Sequence, residues 1–76
     1  MTSVTSLARL TVPLGGQQIE LQEIDYRTGG IPLLRVRIRE GKRFTVFDID
    51  PASAHAWGEA MLAWAAGRAG ATPTGD

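Results

Sequence analysis

Between Pro51 and Gly67 the chain carries one charged side chain, Glu59, in a stretch that reads as a helix. Ala54, Trp57, Met61, Trp64 and Ala65 fall on one stripe at helical spacing. Ala56, Ala60, Ala63 and Ala66 leave the other side with little polarity as well. A helix that is apolar on most sides is normally buried on most sides. In a chain of 76 residues one small sheet cannot surround such a helix. The expectation is that a second copy or another protein covers the rest, with Ala56, Trp57, Ala60, Met61, Ala63 and Trp64 at the contact.

Length and composition sharpen this. A domain of this size typically buries only about 60% of its unfolded surface, which leaves a thin margin of stability. Small domains make up the difference with disulfides, a metal or oligomerisation. With no cysteine, disulfides and thiolate zinc sites are excluded, and oligomerisation remains. Eight basic and eight acidic residues give zero formal charge, so no global field draws the chain to nucleic acid or an anionic membrane. Met1 to Leu10 lacks a basic region followed by a long apolar run, and no segment approaches the ~18 apolar residues of a membrane span. A cytoplasmic, non-membrane protein is expected.

Four strands are legible before the helix. Leu7 to Leu14 alternates, with Leu10, Val12 and Leu14 on one side and Arg9, Thr11 and Pro13 on the other. Gly15-Gly16 reads as a two-residue hairpin turn. Pairing Leu14 with Gln17 then sets Val12 against Ile19, Leu10 against Leu21, Thr11 against Glu20 and Arg9 against Gln22. Thr28-Gly29-Gly30 ends the second strand and Pro32 opens a third, in which Leu34, Val36 and Ile38 alternate with Arg35, Arg37 and Arg39. If Gly41-Lys42 form the next turn, Glu40 faces Arg43, while Val36 and Leu34 face Phe47 and Ile49. Phe44 and Val46 then share the outer face with the arginines. A three-residue loop would exchange these assignments. Asp50-Pro51 supplies a helix cap and a first-turn proline.

The expected class is therefore α+β: a four-stranded antiparallel meander followed by one C-terminal helix packed on one face. The boundaries are a flexible 1–6, a single domain over 7–68 and a disordered tail over 69–76, which is rich in Gly, Ala and Thr.

Among chemistry-bearing residues, the strongest pattern is the arginine row. Arg35, Arg37 and Arg39 stand ~7 Å apart on one strand face, with Lys42 and Arg43 beyond them and Phe44 or Phe47 nearby to stack on a base. The plainer reading is a solvated face whose arginines pair with Glu20, Glu23 and Glu40. Trp57 and Trp64 read as core or interface anchors before they read as a ligand clamp. Asp48, Asp50 and His55 fall short of a metal set, since Asp50 serves as a cap and Asp48 is placed to neutralise Arg35. Ser3, Ser6 and Ser53 have no base and orienting acid at recognisable spacing, and the Gly-Gly pairs lack the strand-loop-helix context of a phosphate loop. No catalytic residue, metal or cofactor is assigned, and the chain does not read as an enzyme.

Four strands followed by a helix, with "FTVFDIDP" leading into a tryptophan-bearing helix, resemble the positive-cofactor-four family of transcriptional coactivators over roughly Leu7 to Arg68. The resemblance implies a dimer with helices at the contact and single-stranded DNA on the basic sheet face. Arg35, Arg37, Arg39, Lys42 and Arg43 would then face DNA, while Trp57, Met61 and Trp64 would serve core and dimer. Membership of an uncharacterised family of small bacterial proteins is equally compatible with the pattern. The expected function is a non-enzymatic homodimeric interaction module with a protein partner. Single-stranded nucleic-acid binding and an accessory role in a larger enzyme are the alternatives.

Overall fold

A computed structural model describes residues 2–26 and 29–69. Four strands, β1 (Ser3–Thr11), β2 (Gln18–Asp25), β3 (Leu33–Glu40) and β4 (Arg43–Ile49), form one antiparallel sheet in the order β1-β2-β3-β4. The helix α1 (Pro51–Ala69) follows directly. The class is α+β, as the alternation and the cap signal require.

The second hairpin has the register read from its alternation. Glu40 pairs with Arg43, Val36 with Phe47 and Leu34 with Ile49. Gly41 takes a positive φ of 62°, the conformation that an L side chain resists and that a tight hairpin turn demands. The first hairpin is offset by two residues from the expected register: Leu10 pairs with Ile19 and Arg9 with Glu20. The connection is longer than Gly15-Gly16, because Val12 N–H donates to the Gln17 carbonyl at 2.8 Å and Gly16 N–H to the Val12 carbonyl at 2.7 Å. Pro13, which has no amide hydrogen, sits in this loop rather than in the ladder. A two-residue offset preserves the face of every side chain, so Leu10 still stands with the apolar set.

Strand β1 also starts earlier than expected. It begins at Ser3, so residues 3–6 belong to the sheet and are not a loose lead, and it stops at Thr11 instead of Leu14. A bulge falls between Ser6 and Ala8: Ser6 pairs with Gln22 and Ala8 with Leu21, leaving Leu7 extra. The extra residue reverses the alternation, so Val4 and Ser6 share a face with Arg9 and Thr11. Residues 70–76 of the expected tail lie outside the described residues.

The two faces of the sheet differ. One carries Leu10, Ile19, Leu21, Leu34, Val36, Ile38, Phe47 and Ile49; the other carries the arginine row with Glu20, Gln22, Phe44, Val46 and Asp48. Asp50 caps α1, its carboxylate accepting from Ser53 N–H at 3.2 Å and from the Ser53 hydroxyl at 2.6 Å. The helix then meets the apolar face through its first two turns. Trp57 lies 5.9 Å from Phe47 between ring centroids, and Ala54 and Gly58 are half-buried. Packing on the sheet ends there, short of the length expected, and every residue from Glu59 to Arg68 is exposed. The molecule measures 51 × 30 × 15 Å, and its radius of gyration of 15.1 Å exceeds the ~11 Å of a compact chain this long.

Among the described residues, only Ile24 (1% exposed) and Val36 (2%) are buried hydrophobics. By register they stand on opposite faces. The surface of 5859 Å² is about 1,300 Å² more than the ~4,500 Å² typical of a folded monomer of 8.2 kDa.

Candidate functional site

Two surfaces compete as the site. The first is the polar sheet face. Alternation along β3 places Arg35, Arg37 and Arg39 in one row, and pairing with β2 and β4 decides what surrounds each. Arg35 is held by Asp48 in a fork, with Nε donating to Oδ1 at 2.8 Å and an Nη to Oδ2 at 3.1 Å. The hydrogen bond from Arg35 keeps the Asp48 carboxyl below its ordinary pKa despite partial desolvation, and raises the pKa of Arg35 in return. Glu20 is shared by two cations: Arg9 Nε at 3.3 Å and Arg37 at 3.2 Å. Ser6 and Gln22 also donate to it. Desolvation alone would push the Glu20 carboxyl up, but the Ser6 hydrogen bond and the charges of Arg9 and Arg37 outweigh it, and the net shift is downward.

The row is thus largely neutralised by its own neighbours. Arg39 donates to the Gly41 carbonyl at 3.2 Å, and among the described residues neither it nor Lys42 has a carboxylate partner. Arg43 pairs opposite Glu40 in the ladder and stands on the other face, away from Arg35, Arg37 and Arg39. Phe44 is exposed on the arginine face, with the Arg37 and Arg39 guanidinium carbons 6.0 and 5.8 Å from its ring centre. These groups, with Arg9 and Glu20, line a shallow depression of about 580 Å³. Its chemistry is that of a cationic, aromatic-edged surface with two of its positive charges already compensated.

The second surface is apolar. Leu10 on the sheet and Met61, Leu62 and Trp64 on α1 are all more than half exposed. Ala56, Ala60 and Ala63 line the helix side opposite the Ala54–Gly58 contact, as the 3.6-residue period dictates, and all three are exposed. Trp64 does not serve the core of this chain: its nearest aromatic-face neighbour is the Arg68 guanidinium, 5.0 Å from a ring that is 64% exposed. Trp57, 43% exposed, packs against Phe47.

His55 sits 3.3 Å from Glu59 one helical turn away, and both are exposed. Asp50 is drawn below its ordinary pKa by the hydrogen bonds from Ser53, consistent with capping. Among the described residues no cluster of three His, Cys, Asp or Glu side chains is placed to hold a metal. No helix of the described residues is long and apolar enough to cross a membrane. The sequence reasoning identified the helix ridge and the arginine row but passed over Leu10 and Leu62 as surface residues. Leu62 lies outside the periodic stripe, and only its 71% exposure in the fold draws attention to it.

No curated protein and no solved structure matches the chain, so neither comparison carries a link to positive-cofactor-four proteins. One family model matches residues 1–67, described as a family of unknown function (DUF6967). Most of the chain is covered, including all four strands and nearly the whole helix, and the protein belongs to the DUF6967 family.

Proposed function

We propose that this chain is a non-enzymatic interaction module that works as a homodimer, with the apolar face of the sheet and the distal half of α1 forming the contact between copies. One observation carries the reading: among the described residues only Ile24 and Val36 are buried hydrophobics, while Leu10, Met61, Leu62 and Trp64 are exposed by half or more. So small a fully buried core among the described residues leaves little to offset the conformational entropy of ordering the chain. The occupant is a second copy because the areas agree. The excess of about 1,300 Å² per chain matches the roughly 1,000–2,500 Å² that each partner buries in an obligate homodimer. A net charge of zero also means that two copies do not repel.

Chemical denaturation at two concentrations tests this. Folding that requires dimerisation loses about 2.7 kcal/mol of apparent stability on hundredfold dilution, and the midpoint moves down. A midpoint independent of concentration would contradict the dimer. A midpoint that rises only when cell extract is restored would favour the accessory-subunit alternative.

A second reading has its own observation, the exposed Phe44 between the guanidiniums of Arg37 and Arg39. Single-stranded nucleic acid stacks on such rings and tracks such cations. The compensation of Arg35 by Asp48, and of Arg9 and Arg37 by Glu20, weighs against this reading. A ~20-base oligonucleotide that binds at low salt, and loses affinity steeply with added salt or with Arg39→Glu, would establish it. No binding at low salt would remove it.

A further inference from the structure

We infer that the two copies exchange arms, the helix of each lying across the apolar sheet face of the other. This inference rests on the homodimer reading above and specifies its geometry. The chain presents two apolar surfaces that its own fold leaves unmatched. The first is the sheet face around Leu10, Ile19, Leu21 and Ile38, of which the protomer's own helix covers only the end near Val36 and Phe47. Among the described residues the charged ones on this face are Glu23 and Asp25 near one end and Glu40 and Arg43 near the other, with none between them. The second is the arm from Glu59 to Arg68, exposed all round, on which Met61, Leu62 and Trp64 project from a backbone with charges only at its ends.

The arm leaves its own sheet uncovered and is exposed from Glu59 to Arg68. Only Asp50 separates β4 from α1, and its carboxylate ties down the first turn through Ser53. The exposed arm, Glu59 to Arg68, is ~15 Å long and fits within the ~27 Å that an eight-residue strand spans. A twofold axis satisfies both at once, because each copy donates the arm that the other lacks and the pair closes without leaving a free surface. The helix side bearing Ala56, Ala60 and Ala63 lies opposite the Ala54–Gly58 contact. Small residues there let two arms pass at the ~8 Å separation of closely packed helices.

Nuclear Overhauser contacts filtered for pairs between copies decide the matter, using unmodified protein refolded as a mixture of isotope-labelled and unlabelled chains. The exchange predicts contacts from the Met61 methyl or the Trp64 ring of one copy to the methyls of Leu10, Ile19, Leu21 or Ile38 of the other. A dimer whose contacts between copies join helix to helix only, or in which these helix-to-sheet contacts arise within one chain, overturns the exchange and leaves the homodimer standing. A monomer overturns both.

Discussion

Trp64→Ala separates an interface tryptophan from a merely wet one. Of the roughly 250 Å² that a tryptophan can bury, the isolated chain leaves 64%, about 160 Å², open to solvent. If a partner covers half of that area, the lost burial is about 2 kcal/mol per copy at ~25 cal/mol per Å². A twofold interface contains the residue twice, so the dimer loses about 4 kcal/mol, or roughly a thousandfold in dissociation constant. The Arg68 guanidinium 5.0 Å from the ring also loses its partner, a local contact worth about 0.5–1 kcal/mol at an exposed site. That contact acts within one helix end and does not enter the dissociation constant unless the copies meet there. Sedimentation equilibrium over a range of concentrations reads the constant directly, with circular dichroism confirming that sheet and helix persist. A variant that associates as the wild type does would place Trp64 outside any interface, where an exposed side chain changes stability by less than about 0.5 kcal/mol.

Three further outcomes follow from the same geometry. Ala63→Glu places a charge on the small-residue side of α1 and should abolish association while leaving the helix content of the monomeric fraction intact, as light scattering and circular dichroism will show; unchanged association would mean that this side faces water. Val36→Ala removes two methyl groups from one of the two buried positions and should cost about 2 kcal/mol in urea, whereas Val46→Ala on the half-exposed arginine face should cost under about 0.5 kcal/mol. Glu20, Asp48 and Asp50 are all held below their ordinary values, 4.5 for Glu and 3.8 for Asp, so the stability they confer is complete above those values. It is lost as pH falls through their lowered pKa values in the fold. The account therefore predicts stability that is flat near neutrality and falls in acid, with a shallower acid slope in Asp48→Asn.

What could be read from the residues depended on how local the determining physics is. The β3-β4 register was legible because Gly41 fixes the turn and the strict alternation from Leu34 to Arg39 admits one matching of apolar rows. The β1-β2 register was misread by two because Gly15-Gly16 looked sufficient for a turn, while Pro13 and Leu14 in fact belong to the loop. Leu7 gave no warning of a bulge, since the residue that breaks an alternation looks like the end of a strand. Ser3 to Ser6 has strand-compatible Val4 and Thr5, but too little alternation to stand out. Helical spacing from Ala54 to Ala65 identified which side chains share a stripe, yet the direction of the helix comes from the geometry at Asp50, which composition does not reveal. That direction exposes the distal helix and leaves Leu10 uncovered, so the apolar site was legible only in half. The arginine row was read correctly as a row, and its compensation by Asp48 and Glu20 followed from the cross-strand pairing.

The mass of the native particle at micromolar concentration decides whether the folded chain is a dimer. Sedimentation equilibrium should give about twice the 8.2 kDa of one chain, with no folded species at the single mass. A folded, helix-containing particle of 8.2 kDa would contradict the account, because such a chain would hold its shape with Leu10, Met61, Leu62 and Trp64 in water.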